Sequence, residues 1–163
     1  MKLYLSLLLA AALAACSSTS TGRDRGRSEA DRLAELAALA TIPESALGPQ
    51  TLLPGECGLF LWSKTDPSKF IFFSKAVSGT ALITQGAEPI DLTMTRAGGD
   101  LFGQFNTEMS YASVAGDEIT LGLTPGAVLD GGQRVEAGLI TTINSGGWQA
   151  KLPVLGVRAC QPE

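Results

Sequence analysis

The 163-residue sequence contains no histidine, only three cysteines and no Cys-x-x-Cys pair. The missing histidine removes Ser-His-Asp and Cys-His catalysis, together with the commonest metal ligand. The cysteine spacing argues against a structural zinc site or a dithiol redox motif. A glycine-rich phosphate loop is lacking too, since Gly98-Gly99 and Gly131-Gly132 have neither the spacing nor a following helix. Basic residues number twelve against sixteen acidic ones, so the chain has no electrostatic footprint for nucleic acid. Long apolar runs are also missing: Leu3 to Ala12 is too short for a bilayer core, which takes roughly 20 residues.

The acidic residues suggest no reaction. Asp117-Glu118 is the one adjacent carboxylate pair of the Gly-punctuated region, but strand neighbours point to opposite faces and Asp117 reads as a turn residue. A glycosidase pair would need carboxyls about 5–9 Å apart across a cleft. Ser78-Gly79 and Ser145-Gly146 likewise read as turns. A Ser-Lys arrangement through Lys64, Lys69 or Lys75 is the one nucleophilic alternative. The expectation is a non-enzyme with no cofactor and no metal.

What is present begins at the N-terminus, with Lys2 and then SLLLAAALAACSS from Ser6 to Ser18. A basic residue before a short apolar stretch suits a secretory leader. Its end, Leu13-Ala14-Ala15-Cys16, resembles the bacterial lipobox. The resemblance implies cleavage after Ala15, an acylated Cys16 as the new N-terminus, and anchoring to the membrane through that lipid. Stable anchoring takes two or more acyl chains, each buried CH₂ adding about 0.8 kcal/mol. Ser17 stands where inner-membrane lipoproteins commonly carry aspartate, which implies the inner leaflet of the outer membrane, facing the periplasm.

Cys57 and Cys160 then form an even pair in an oxidising compartment, and a disulfide is expected rather than two free thiols. It would close a loop 103 residues long, worth about 4–5 kcal/mol in the chain-entropy picture. Without the leader, eleven basic residues face sixteen acidic ones, a formal charge of −5. Residues 16–27 read as a flexible tether, SSTSTG followed by Arg23, Arg25 and Arg27. Residues 28–41 read as one short helix, with Ser28 and Asp31 at its N-cap and Leu33, Leu36, Ala37 and Ala40 on one face.

Residues 51–163 change texture. Short β-rich segments at Gly58–Lys64, Lys69–Lys75, Thr80–Thr84, Ile90–Arg96, Leu101–Glu108, Glu118–Leu123, Arg134–Ile143 and Trp148–Arg158 alternate with turn formers. The turns expected between them include Asp66-Pro67-Ser68, Gly98-Gly99-Asp100 and Asn144 to Gly147. The predicted fold is mainly β: a small antiparallel eight-stranded barrel or sandwich preceded by one short amphipathic helix. Closure manages exposed edges, and a Cys57–Cys160 bridge would make the first and last strands neighbours.

The richest aromatic block is GLFLWSKTDPSKFIFFSK, Gly58 to Lys75. Pairing Thr65 with Lys69 would place Trp62 opposite Phe72 and Phe60 opposite Ser74, leaving both faces of the hairpin apolar. A half-solvated strand should alternate apolar with polar. Either both faces are covered, one by the barrel interior and one by the 28–41 helix, or one face is an interaction surface. Phe60, Trp62, Phe70 and Phe72 are the candidate binding patch, joined by Trp148 if the terminal strands meet. The expected function is a protein-binding or structural module of the envelope, with an envelope protein as partner. The segment SYASVAGDEITL, Ser110 to Leu121, is similar to a strand pair of small periplasmic lysozyme-inhibitor lipoproteins, which implies an inhibitor as a sharper version. The alternative is a small apolar-ligand carrier with a lipocalin-like barrel, since eight strands can enclose one small ligand.

Overall fold

The computed structural model describes residues 45–86 and 88–163. The expected leader, the lipidated Cys16, the tether and the 28–41 helix lie outside these residues. Eight strands follow in order: β1 (Cys57–Ser63), β2 (Phe70–Lys75), β3 (Thr80–Thr84), β4 (Pro89–Phe102), β5 (Phe105–Ser113), β6 (Glu118–Leu129), β7 (Gly132–Ile143) and β8 (Gln149–Cys160). Each pairs antiparallel with its neighbour in sequence, and β8 pairs back onto β1, so the sheet is a closed up-and-down barrel and not a sandwich.

Strand alternation sets what the barrel holds. Leu59 and Leu61 of β1 and Phe72 of β2 point inward, with Leu92, Tyr111, Ile119, Leu121, Ile140 and Val154 from the other strands. They form one packed cluster that fills the interior. Burying each such side chain contributes about 1.5–3 kcal/mol. Tyr111 lies edge-on to Phe72, with ring centres 5.6 Å apart, and its hydroxyl donates to Ser74 Oγ at 3.4 Å. Ser74 in turn donates to the Thr80 carbonyl at 3.0 Å, so the interior hydroxyls are satisfied. Burial pushes the Tyr111 phenol above its usual pKa, opposed by the Ser74 hydrogen bond.

Much of the outer wall is polar, with Asp91, Thr93, Glu108 and Glu118 exposed. Apolar-in and polar-out is the reverse of a lipid-facing barrel, whose apolar band points outward.

The barrel has two distinct ends. At the disulfide end lie the Cys57 and Cys160 termini of β1 and β8 and the β2–β3, β4–β5 and β6–β7 turns. At the other, the Pro67 end, lie the β1–β2, β3–β4, β5–β6 and β7–β8 turns. Cys57 is bonded to Cys160, their Cα atoms 3.9 Å apart, which realises the expected bridge.

Two expectations need correction. Gly98-Gly99-Asp100 is not a turn but a bulge inside β4, where pairing jumps from Gly98–Glu108 to Leu101–Asn106. The turn falls instead at Gly103-Gln104, closed by the Phe102–Phe105 pair, where Gly103 takes φ +63 and a Cβ would collide with the Arg158 side chain. The β1–β2 register also differs: Trp62 pairs with Phe70, and Phe60 with Phe73. A bulge at Ile71 shifts the ladder between Leu61 and Trp62, which sends Phe72 inside and Phe73 outside.

Candidate functional site

The Ile71 bulge gathers the aromatics of β1 and β2 on the outer wall. Phe60 stacks on Phe70 with ring centres 5.9 Å apart and meets Phe73 at 5.0 Å, and Trp62 meets Phe70 at 5.1 Å. Such contacts add about 0.5–1.5 kcal/mol each beyond area burial. The row is covered in part by the chain that precedes β1. Leu47 is buried and its N–H donates to the Phe70 carbonyl at 2.6 Å. Leu52 closes over Gly58 beside the rings of Phe60 and Phe73. Glu56 ends this strap, accepting from the Leu53 N–H at 2.7 Å and from Lys75 Nζ at 2.8 Å. The backbone bond from Leu53, and then Lys75, hold its carboxyl below the usual value.

The strap leaves Trp62 at an open edge. Beside it runs an outer groove of about 760 Å³ between β8 and the bulged tip of β6, lined by Trp62, Leu155, Val157, Ala127 and Leu129, with Arg134 and Glu136 as its charged residues. Gly156 lies under this groove and allows β8 to approach the Phe60 carbonyl, which a Cβ would strike.

Three of the five expected patch residues therefore come together, Phe60, Trp62 and Phe70. Phe72 does not join them, being fully buried inside the barrel. Trp148 stands two-thirds exposed (67%) on the β7–β8 turn at the Pro67 end. It is remote from the patch because Trp62 pairs with Leu155, seven positions further along the chain. Phe73, Leu155 and Val157 were missed. The β8 pair could have been found by alternation back from an inward Cys160, which turns Val157 and Leu155 outward, and Phe73 depended on the unforeseen bulge.

Of the carboxylates and lysines weighed for catalysis, Asp117, Lys69 and Lys75 have structural partners. Asp117 accepts from Ser113 Oγ at 3.0 Å and from the Ser145 N–H at 3.3 Å, tying two turns together. Lys69 faces Asp66 at 3.7 Å and Lys75 faces Glu56 at 2.8 Å, so both ammonium groups are engaged by carboxylates.

At the disulfide end Arg158 points into the barrel mouth. Its Nη1 donates to Gln104 Oε1 at 3.2 Å, and its guanidinium carbon lies 5.9 Å from the Phe102 ring centre. The Nε atom is buried with no hydrogen-bond partner among the described residues.

No protein-family model, curated protein or solved structure matches the chain.

Proposed function

We propose that the protein is an envelope lipoprotein, held to the outer membrane by lipid on Cys16, whose barrel serves as a non-catalytic module for binding an envelope protein. The observation that carries this reading is the division of the barrel: side chains fill the inside, while the outer wall presents a groove flanked by Trp62. A filled interior shifts any recognition to the exterior, and a half-buried aromatic beside an apolar groove suits a protein contact. An inhibitor of a periplasmic enzyme is one form that such a module takes. Metabolic palmitate labelling of the full chain, with Cys16→Ser as control, tests the anchor. Crosslinking of the intact envelope followed by recovery of the lipoprotein tests the partner, and the absence of any enriched protein counts against it.

The carrier reading survives in altered form, because the 760 Å³ groove lies outside the barrel and not within it. Trp148→Phe leaves Trp62 as the sole tryptophan. If its fluorescence ignores added fatty acids and hydrophobic dyes, the carrier reading fails.

A further inference from the structure

The largest apolar exposures collect at one end of the barrel. Val77 on the β2–β3 turn is 99% exposed, Leu101 beside the β4–β5 turn 82%, and Val128 at the β6–β7 turn 77%. Leu53, in the turn before β1, and Leu129, next to Val128, extend the set. Each hairpin at the disulfide end thus lifts an apolar side chain into solvent, and so does the turn that enters β1. At the Pro67 end only Val114 and Trp148 do so among the described large apolar residues.

Val77 is the most telling of these. It holds φ +74, the one non-glycine in the left-handed region among the described residues. A β-branched residue is disfavoured there, and strained residues of this kind collect at functional positions. Here the side chain also touches solvent instead of a core, so nothing within the barrel compensates for the strain. Beneath it opens a cavity of about 200 Å³, lined by apolar Val77, Ala76, Met94, Phe105 and Met109 together with Lys75 and two side-chain amides. That volume suits one inserted side chain, ringed by near-neutral contacts that exclude water.

The charges at this end select the occupant. Lys75 is paired with Glu56, and Arg158 is turned onto Gln104 and Phe102. Among the described residues the unengaged charges beside the apolar tips are mostly acidic: Asp100 next to Leu101, Asp130 next to Leu129 and Glu163 near Gly55, against Arg134 in the adjoining groove. A bilayer surface favours clustered basic residues and interfacial tryptophan or tyrosine at the point of contact; among the described residues this end exposes neither aromatic, and its exposed Arg134 stands beside Glu136 in the groove.

We infer that the disulfide end of the barrel docks a basic protein partner, which seats one side chain in the cavity beneath Val77. The inference rests on the protein-binding reading above and specifies the surface and charge of that partner. The groove continues into the same end at Leu129, so the two surfaces adjoin.

The test uses the full-length lipoprotein in its own envelope, with a benzophenone amino acid placed singly at Val77, Val128, Trp62 or the exposed Glu118 at the Pro67 end. The expected result is one discrete adduct from positions 77 and 128 and none from 118, with a partner richer in Lys and Arg than in Asp and Glu. The Asp100→Lys, Asp130→Lys double variant should lower the yield by about tenfold, as reversed charges at an interface rim slow association. Because Val77→Asn removes strain without touching the core, its loss of the position-128 adduct while the barrel stays folded separates docking from stability. An adduct from position 62 alone overturns this surface and leaves the protein-binding reading standing. Phospholipid adducts, or adducts twice the mass of the chain itself, overturn it in favour of a membrane or a second copy. No adduct at any position overturns both readings.

Discussion

Cys57 stands directly opposite Cys160 across the β1–β8 ladder, and their bridge lies where the barrel closes on itself. Its loop spans 103 residues, so the bond restricts nearly every conformation open to the unfolded barrel. Reduction, or the Cys57→Ser, Cys160→Ser double variant, is expected to lower stability by about 2–5 kcal/mol. Urea unfolding with and without reductant measures this directly. The seven paired positions between β1 and β8 keep the seam registered, so the reduced barrel still folds under native conditions.

Tyr111 supplies a pH dependence with a definite sign. Its phenol is neutral in the core and its pKa lies above 10.0, the ordinary value. Below that ordinary value the folded and unfolded chains both hold the proton, and the contribution is fully present. Above it the unfolded chain releases its proton first, so stability falls as pH rises toward the folded value. Tyr4 lies in the expected leader, which leaves Tyr111 as the single tyrosine of residues 16–163. Phenolate absorbance therefore reports this one residue, and Tyr111→Phe should flatten the alkaline loss at a cost of about 1 kcal/mol at neutral pH.

Val77→Gly and Val77→Asn should both raise stability, by about 1 kcal/mol, because each relieves the left-handed backbone at φ +74. A rise in the urea midpoint with an unchanged slope is the expected outcome. A fall would mean that the valine side chain stabilises the isolated barrel after all.

Two β-strand glycines should differ sharply in their tolerance of a Cβ. A Cβ at Gly156 meets the Phe60 backbone carbonyl, which cannot move without opening the β1–β8 ladder. Gly156→Ala is expected to cost about 3 kcal/mol. A Cβ at Gly122 meets nothing within 4 Å, so Gly122→Ala should fall within about 0.5 kcal/mol of the parent. Paired melting curves of the two variants check the contrast.

The sequence was legible where period-2 alternation met clear turn chemistry. Thr80–Thr84 was placed to the residue, Asp66-Pro67-Ser68 is the turn expected, and the cysteine pair correctly implied adjacent terminal strands. It was illegible at bulges. Gly98-Gly99 looks the same whether the chain reverses or inserts an extra residue, and only the partner strand decides. At Ile71 no glycine marks the bulge at all, so the face of Phe72 and Phe73 could not be read from alternation. Pro125-Gly126 hid a further bulge, through which β6 runs on to Leu129. The apolar tips at Val77, Leu101 and Val128 were invisible for a different reason: lone hydrophobic residues in turns gain meaning only when closure sets them around one rim.

Pairing the first strand with the last also constrains the order of assembly. At about 5–20 residues per second, synthesis reaches Gln149 several seconds after Ser63 has emerged. Throughout that interval one margin of the opening strand, carrying Phe60 and Trp62, offers bare backbone to any passing chain. Newly made polypeptide is thus at its most vulnerable to clumping before the dozen residues of β8 arrive, and an escort that shields this margin would act in that window.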